Sequence, residues 1–399
     1  MFKTKLKKVY FILALAGIIL SSGVIGFFAG RIFYLNPDYN KIGVDLQAIN
    51  QGQGDIFSKV VGSLKTGFLG SVDAKKSYYG AIKGYVASLG DPYTVFFDPE
   101  ESKTFKSELA GELEGIGVKM VEDGDYPVVV APLSGTPAAQ AGIKPKDKIV
   151  EIDGKSTQGK TLDEVTSWIR GVSGTKVKVV VIRSGDEQPI EFEITRMLIK
   201  VQSVEGKQIG DTGYILLSEF GPDTAELFHN QAQKLKDAGV SKFVIDLRNN
   251  PGGLLDQAIL VANDIFSRDT PVVIEQDKSK KNDETKTTQD GLLKQDKIIV
   301  LVNDGTASAA EILAGAVQDD NRGKIIGEKT YGKGTVQQYE EFDDRSSLKV
   351  TIAKWLTPKG HDIDKEGISP DIEVKLNRAP GEDESDPVIS RAISELGRN

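Results

Sequence analysis

The sequence predicts a multidomain α/β protein with an N-terminal helical segment and a single transmembrane helix. Three observations carry this expectation. Between residues 213 and 327, short apolar runs alternate with stretches of helical period, the signature of a largely parallel sheet. Residues 111–197 hold a denser set of short strands and glycine turns, which reads as a separate unit. Residues 9–30 carry no charge and follow four lysines.

Composition narrows the function classes. A chain of 399 residues holds two or three domains, and 39% apolar with 27% charged residues is globular. Net charge is −8, and because Lys3, Lys5, Lys7 and Lys8 stand alone in the first thirty residues, the remainder sums to −12. An acidic body argues against nucleic acid as a partner. Cysteine is absent, which removes thiol nucleophiles, thiolate metal sites and disulfides. His229 and His361 are the only histidines, too few for a histidine-built zinc site. No metal and no cofactor is expected.

Taken in order, residues 1–8 form a basic stub and 9–30 the anchor. Twenty-two residues span about 33 Å as a helix, enough for a bilayer core. Lysines ahead of the run keep the N-terminus cytoplasmic, so the rest lies outside the cytoplasm at the cell membrane. A cleaved signal peptide is the competing reading, but Ala14-Leu15-Ala16 falls too early for cleavage. Residues 31–54 form a polar tether.

Residues 55–110 are helical. Ile56, Val60 and Leu64, then Tyr79, Ile82, Val86 and Leu89, recur at helical spacing, and Gly90-Asp91-Pro92 stops the second helix. A third short helix covers 100–109. These are packing or self-association helices, and a homodimer or higher homo-oligomer is expected through them.

The unit over 111–197 opens with Gly115-Ile116-Gly117-Val118. A strand at 128–130, a short helix from Pro137 to the stop at Gly142, and the alternating strand Asp147-Lys148-Ile149-Val150-Glu151-Ile152-Asp153-Gly154 follow. Thr161 and Glu164 form a capping box for a helix that buries Leu162, Val165, Trp168 and Ile169. Strands at 177–182 and 190–194 complete the set. This order resembles a PDZ domain. The resemblance implies that an extended peptide adds as a strand and that its terminal carboxylate rests in a backbone nest at Gly115, Ile116, Gly117 and Val118. Lys146 stands where the family usually has glycine, which questions the local turn. Arg170 ends the long helix, as a cation at a helix C-terminus does; it is also a candidate relay from the peptide site to the next domain.

The core runs over 198–378, with a tail helix at 379–399. Strands are expected at 213–217, 242–247, 271–274 and 298–302, and helices at 224–238 and 254–266. Residues 277–289 are charged and read as a solvated loop. Two turns lie at C-terminal strand ends, where ligand sites of parallel sheets gather. One is Asn249-Asn250-Pro251-Gly252-Gly253. The other is Asn303-Asp304-Gly305-Thr306-Ala307-Ser308, which leads into a helix. Ser308-x-x-Glu311 is a capping box, and the same serine sits where helix N–H groups favour negative charge. It is the candidate nucleophile. Pro251 has no N–H, so Gly252 or Gly253 and then Ala309 are the candidate oxyanion donors.

A serine nucleophile requires a base. His229 lies in a polar helical stretch and His361 in a loop. Lys333, flanked by Gly332 and Gly334, is the better candidate. If 334–340 is a strand, residues 333, 335 and 337 share a face and Gln337 can hold the Lys333 amine.

The chain closely resembles the carboxyl-terminal processing peptidases, tail-specific serine peptidases with an embedded PDZ domain. The resemblance rests on Ser88-Leu89-Gly90-Asp91-Pro92-Tyr93-Thr94, on Asp246 to Gly253, on the Ser308 stretch, on Tyr331-Gly332-Lys333-Gly334 with Gln337, and on Leu356-Thr357-Pro358. It implies a crotonase-like (ClpP/crotonase) peptidase core with Ser308 as nucleophile, Lys333 as general base and Gln337 assisting. It implies polypeptide substrates cut near their C-termini through an acyl-enzyme. A non-catalytic PDZ and crotonase-like binding or scaffold protein is one alternative, and a histidine hydrolase using His361 is another.

Overall fold

The computed structural model describes residues 54–375 and 386–398, apart from Ser134, Glu187 and Val201. The expected stub, anchor and most of the tether lie outside these residues. Among the described residues no helix is long and apolar enough to cross a membrane.

The chain divides into two compact units, up to Tyr78 and from Tyr79 onward. In the first, α1 (Gly54–Gly67) exposes Ile56, Phe57, Val60 and Leu64, an apolar stripe at helical spacing. Helix α2 (Ala74–Ala87) crosses the boundary, and its second part buries Tyr79 and Val86 with Phe96. Strand β1 (Val95–Phe97) follows. Then comes α3 (Pro99–Leu109), started by a full capping box between Asp98 and Glu101.

The 111–197 unit is a five-strand antiparallel path. Strands β3 (Val118–Asp123), β4 (Tyr126–Pro132), β5 (Lys148–Ile152), β7 (Lys176–Ile182) and β8 (Ile190–Thr195) lie in the order β3-β4-β5-β7-β8. A short β6 (Lys155–Ser156) pairs with β5. Helices α4 (Pro137–Ala141) and α5 (Leu162–Ile169) close over Ile116, Ile149, Ile152, Val165 and Val179, all fully buried. The Thr161–Glu164 capping box forms as expected. Lys146 adopts φ +71°, the left-handed conformation glycine would take, so the substitution changes the residue and keeps the turn. A ribbon of β2 (Glu112–Gly115) with β9 (Met197–Lys200) joins this unit's two ends.

The core sheet runs β10 (Val204–Ile209), β11 (Thr212–Leu217), β12 (Lys242–Asp246), β15 (Lys297–Val302), β16 (Gly323–Gly327) and β19 (Ile372–Glu373) in that spatial order. Every pairing except β10–β11 is parallel, as the strand–helix alternation predicts. Helices α6 (Thr224–Asp237), α7 (Leu255–Ile265) and α8 (Ala309–Asp319) pack into the larger apolar core, and α9 (Pro387–Leu396) covers Val244, Ile299 and Leu301 on the other face. Strands β12 and β15 are therefore buried on both sides, which is why they read as unbroken apolar runs.

A second sheet is built from β1, β13 (Pro271–Asp277), β14 (Asn282–Lys286), β17 (Thr335–Glu341) and β18 (Ser347–Leu356), in the order β1-β18-β13-β14 with β17 also on β18. It corrects one expectation. Within the segment expected as a solvated loop, Asn282–Lys286 forms strand β14 against β13 (Pro271–Asp277). It is a sheet edge, charged and mostly exposed on both faces, so no apolar alternation marks it.

Candidate active site

Three turns meet at the C-terminal end of the core sheet, and backbone hydrogen bonds sew them together. The turn after β15 receives the turn after β12: Ala307 N–H donates to Asn250 C=O at 2.9 Å, and Asn249 N–H donates to Asn303 Oδ1 at 2.7 Å. Thr306 Oγ1 donates to Leu247 C=O at 2.8 Å. The loop after β16 joins through Tyr331 N–H, which donates to Thr306 C=O at 3.0 Å.

Ser308 stands at this junction, ahead of α8. Its backbone is held at φ +54°, ψ −119°, a conformation that costs a side-chain-bearing residue on the order of 1–3 kcal/mol and persists only where surroundings enforce it. Gly252 is one of those surroundings. A Cβ there would stand 2.8 Å from Ser308 Cβ and 2.8 Å from Ala307 O, so only glycine lets the two turns approach. Gly252 has φ +100° and Gly253 φ +137°, both outside the range of ordinary side chains.

The oxyanion candidates separate. Gly252 N–H donates to Asn250 Oδ1 at 2.9 Å and is already spent. Gly253 pairs with Phe220 in an isolated parallel bridge made through the Gly252 carbonyl and the Leu254 N–H, which turns the Gly253 N–H away. Among the described residues no hydrogen bond takes the N–H of Gly253 or Ala309.

Glu311 does more than the sequence indicated. Its carboxylate, fully buried, accepts from Ser308 N–H at 2.8 Å, the glutamate half of the expected capping box. The same oxygen accepts from Lys333 N–H at 3.0 Å, and the other from Gly332 N–H at 2.7 Å and Thr330 Oγ1 at 2.5 Å. One side chain thus holds the backbone of the nucleophile candidate and of the base candidate. The signal was in view as a cap, but nothing in the spacing says that a cap residue reaches twenty residues onward.

Lys333 is fixed at both ends of its peptide. Trp355 Nε1 donates to its carbonyl at 2.9 Å, opposite the Glu311 contact. Its flanking glycines do what was expected of them: a Cβ on Gly332 would lie 2.8 Å from Gly367 N, and one on Gly334 2.8 Å from Asp364 Cβ. The amine lies over the Tyr93 ring, 4.9 Å from its centroid. Burial lowers its pKa from the ordinary lysine value, and the positive charge of Lys349 lowers it further, while Glu311 and Asp91 oppose. No hydrogen bond joins Lys333 Nζ to Ser308 Oγ among the described residues. Catalytic hydrogen bonds are often long without substrate.

Gln337 departs from expectation. Its amide donates to Thr335 Oγ1 at 2.8 Å and to Thr351 Oγ1 at 3.5 Å, not to the Lys333 amine. The physical reason is local: β17 begins at Thr335, so Lys333 precedes the strand, and Gln337 spends its amide on Thr335, its same-face neighbour. The histidines stand apart from the turns. His229 Nδ1 is 3.0 Å from Asp264 on α7, and His361 is largely exposed beside Asp319.

In the 111–197 unit, β3 is a sheet edge, open to another strand, with α5 beside it. Gly115 ends β2, Val118 begins β3, and between them lie Ile116 and Gly117, whose N–H groups no described hydrogen bond takes. Gly117 has φ +76°, and a Cβ there would strike Thr136 at 2.5 Å. Arg170, at the end of α5, lies against Gly115 and pairs with Glu108 of α3 at 2.8 Å, so its partner is the helical segment and not the core sheet.

Residues 211–374 match the Peptidase family S41 and residues 128–183 match the PDZ domain. A probable CtpA-like serine protease of Staphylococcus aureus is 39% identical over 374 residues, 93% of this chain and 74% of that one. The carboxy-terminal processing protease CtpA of Bacillus subtilis is 34% identical over 370 residues, 92% and 77% of the two chains. Among solved structures, the photosystem II D1 C-terminal processing protease superposes with a TM-score of 0.53 at 30% identity, over 82% of this chain and 88% of that one. The chain therefore belongs to the carboxyl-terminal processing peptidases, PDZ-containing serine proteases of peptidase family S41.

Proposed function

We propose that this peptidase cleaves polypeptides near their C-termini with Ser308 as nucleophile and Lys333 as general base, and that its PDZ unit captures the substrate's terminal carboxylate. The observation that carries the reading is the Glu311 carboxylate, which holds Ser308 and Lys333 from one buried point. In a neutral Lys333, the Nζ lone pair takes the Ser308 proton as Oγ attacks the peptide carbonyl carbon. The carbonyl oxygen becomes an oxyanion and receives the N–H groups of Gly253 and Ala309; one such donor is worth about 3–4 kcal/mol in the transition state. Lys333 returns the proton to the leaving amine, an acyl-enzyme remains, and water deprotonated by the same amine releases the new C-terminus. The lowered lysine pKa supports this role, since an ammonium cannot accept a proton.

Gln337 assists once its amide leaves Thr335 and Thr351, and Arg170 couples the PDZ unit to the rest through α3. The parallel sheet with its two turns supports a crotonase-like core. The charge-free run at 9–30 supports a membrane anchor with the catalytic part outside the cytoplasm; recovery of the full chain in the soluble fraction would remove that part of the reading. The apolar stripe of α1 supports self-association.

The test compares hydrolysis of one peptide as free acid and as C-terminal amide. The wild type cleaves the free acid faster, and both Ser308→Ala and Lys333→Ala lose activity by about a thousandfold or more, while His361→Ala keeps it. Full activity in Lys333→Ala sinks the dyad; equal rates on acid and amide sink PDZ capture.

A further inference from the structure

The segment from Asp91 to Thr94 lies outside both stretches that match the peptidase family and the PDZ domain, yet it reaches the candidate base. Its ring, Tyr93, faces Lys333 Nζ at 4.9 Å. The segment is itself tied down. Asp91 accepts from Tyr93 N–H at 3.0 Å and from Thr94 Oγ1 at 2.6 Å. Thr94 Oγ1 in turn accepts from Thr351 N–H at 3.1 Å, and Thr351 Oγ1 is the group that receives Gln337. Just beyond, β1 pairs with β18 through Val95 and Lys349, and the Lys349 amine lies over Phe97 and Phe105 at 5.8 and 5.3 Å. One short segment therefore touches the candidate base and the lysine beside it, and reaches Gln337 through Thr351.

We propose that Tyr93 is a positioning residue for Lys333: its ring face is the seat that holds the amine beside the Ser308 turn, and the Asp91–Thr94–Thr351 tie fixes that seat to β18. The inference rests on Lys333 being the base. A ring face attracts an ammonium through its quadrupole, and it does so more strongly where water is excluded. Neither Lys333 nor Lys349 has a carboxylate within salt-bridge distance among the described residues, so the rings supply what anions supply elsewhere. The groups facing Lys333 are Lys349 of β18, Glu311 of α8, Asp91 and Tyr93; Tyr331 and Asp364 lie near the tyrosine. The ring face favours the ammonium, so its loss lowers the Lys333 pKa further.

The sign of the test follows. In the full chain acting on an unfolded protein substrate such as casein, Tyr93→Phe keeps the seat, with kcat within about twofold and the acid limb of the pH–rate profile unmoved. Tyr93→Leu keeps apolar bulk and loses the ring face. It lowers kcat by roughly tenfold, leaves KM within about twofold, and moves the acid limb to lower pH. The Lys333 side chain, followed by NMR titration without substrate, moves the same way. The proposal is overturned if Leu and Phe behave alike, if Leu raises kcat because the ring held the amine away from Ser308, or if kcat falls while neither limb nor titration moves. Activity surviving in Lys333→Ala is a different failure, that of the dyad itself.

Discussion

A buried and a half-buried cation sit in the peptidase domain and are treated in opposite ways. Arg248, at the end of β12, is almost wholly enclosed, and every side of its guanidinium has a partner. Nε and Nη2 donate to Asp246, and Nη1 donates to Asp386 at 2.9 Å. Tyr214 donates its hydroxyl to the same Asp246 at 2.7 Å, and burial next to that carboxylate pushes the phenol pKa up. Burial alone would lower the Arg248 pKa, but the Asp246 and Asp386 carboxylates raise it instead. Lys333 is half-buried, and among the described residues its amine meets one ring, a neighbouring ammonium and the more distant charges of Glu311 and Asp91. A buried cation that is fully paired fixes geometry; one that is left short of anions is prepared to give up its proton. Asp386 starts α9, so the first cluster pins the C-terminal helix to the strand that feeds the glycine turn. On the proposed reading, the second keeps a base usable.

The sharpest way to break this comparison is to replace each cation by Met. Arg248→Met strands two buried carboxylates and costs about 3–5 kcal/mol of folding stability, read from urea unfolding. Lys333→Met abolishes hydrolysis yet leaves the urea midpoint unchanged or higher. The sign follows from the lowered pKa: below the unfolded-state value the half-buried amine binds its proton more weakly in the folded chain, so at neutral pH it costs stability. Equal destabilisation by the two substitutions would erase the distinction.

A smaller effect is expected at Glu311. Glu311→Gln cannot accept all four donors, because an amide offers one acceptor oxygen. Loss of a hydrogen-bonded buried partner costs about 1–3 kcal/mol, and the damage should appear in kcat more than in KM, since Ser308 and Lys333 lose their common support. An unchanged kcat would show that the two segments hold themselves. The smallest effect belongs to Lys349→Gln. Removing that positive charge raises the Lys333 pKa, so the acid limb of the pH–rate profile moves to higher pH and activity at neutral pH falls modestly. A limb that moves down would mean that Lys349 does not act on Lys333 through charge.

Much of this architecture was legible because it is written in apolar runs. Strands β11, β12 and β15 are buried, and their composition says so. The Ser308 and Gly253 turns follow them at fixed offsets, so their convergence could be expected from the parallel sheet alone. What stayed hidden lacks such marking. Strand β18, ten residues long, interleaves Lys349 and Lys354 with apolar residues and is only partly buried along most of its length. The reach of Glu311 to Lys333 is a tertiary fact; its sequence mark, three residues after Ser308, is that of an ordinary helix cap. Gln337 misled because strand alternation was carried back to Lys333, which precedes β17. Tyr93 lies some 240 residues from Lys333 in sequence, and only β1–β18 pairing brings them together.

The single carboxylate of Glu311 also sets how the site can fail. Its two oxygens take the amides of Ser308, Gly332 and Lys333 at once, so none of these protons can be released to solvent without loosening the same anchor. The three amides form one hydrogen-exchange unit, opening together with a common free energy. Local fluctuation then yields no half-built site with a mobile lysine and an intact serine turn. On the proposed reading, the nucleophile and its base are present together or lost together.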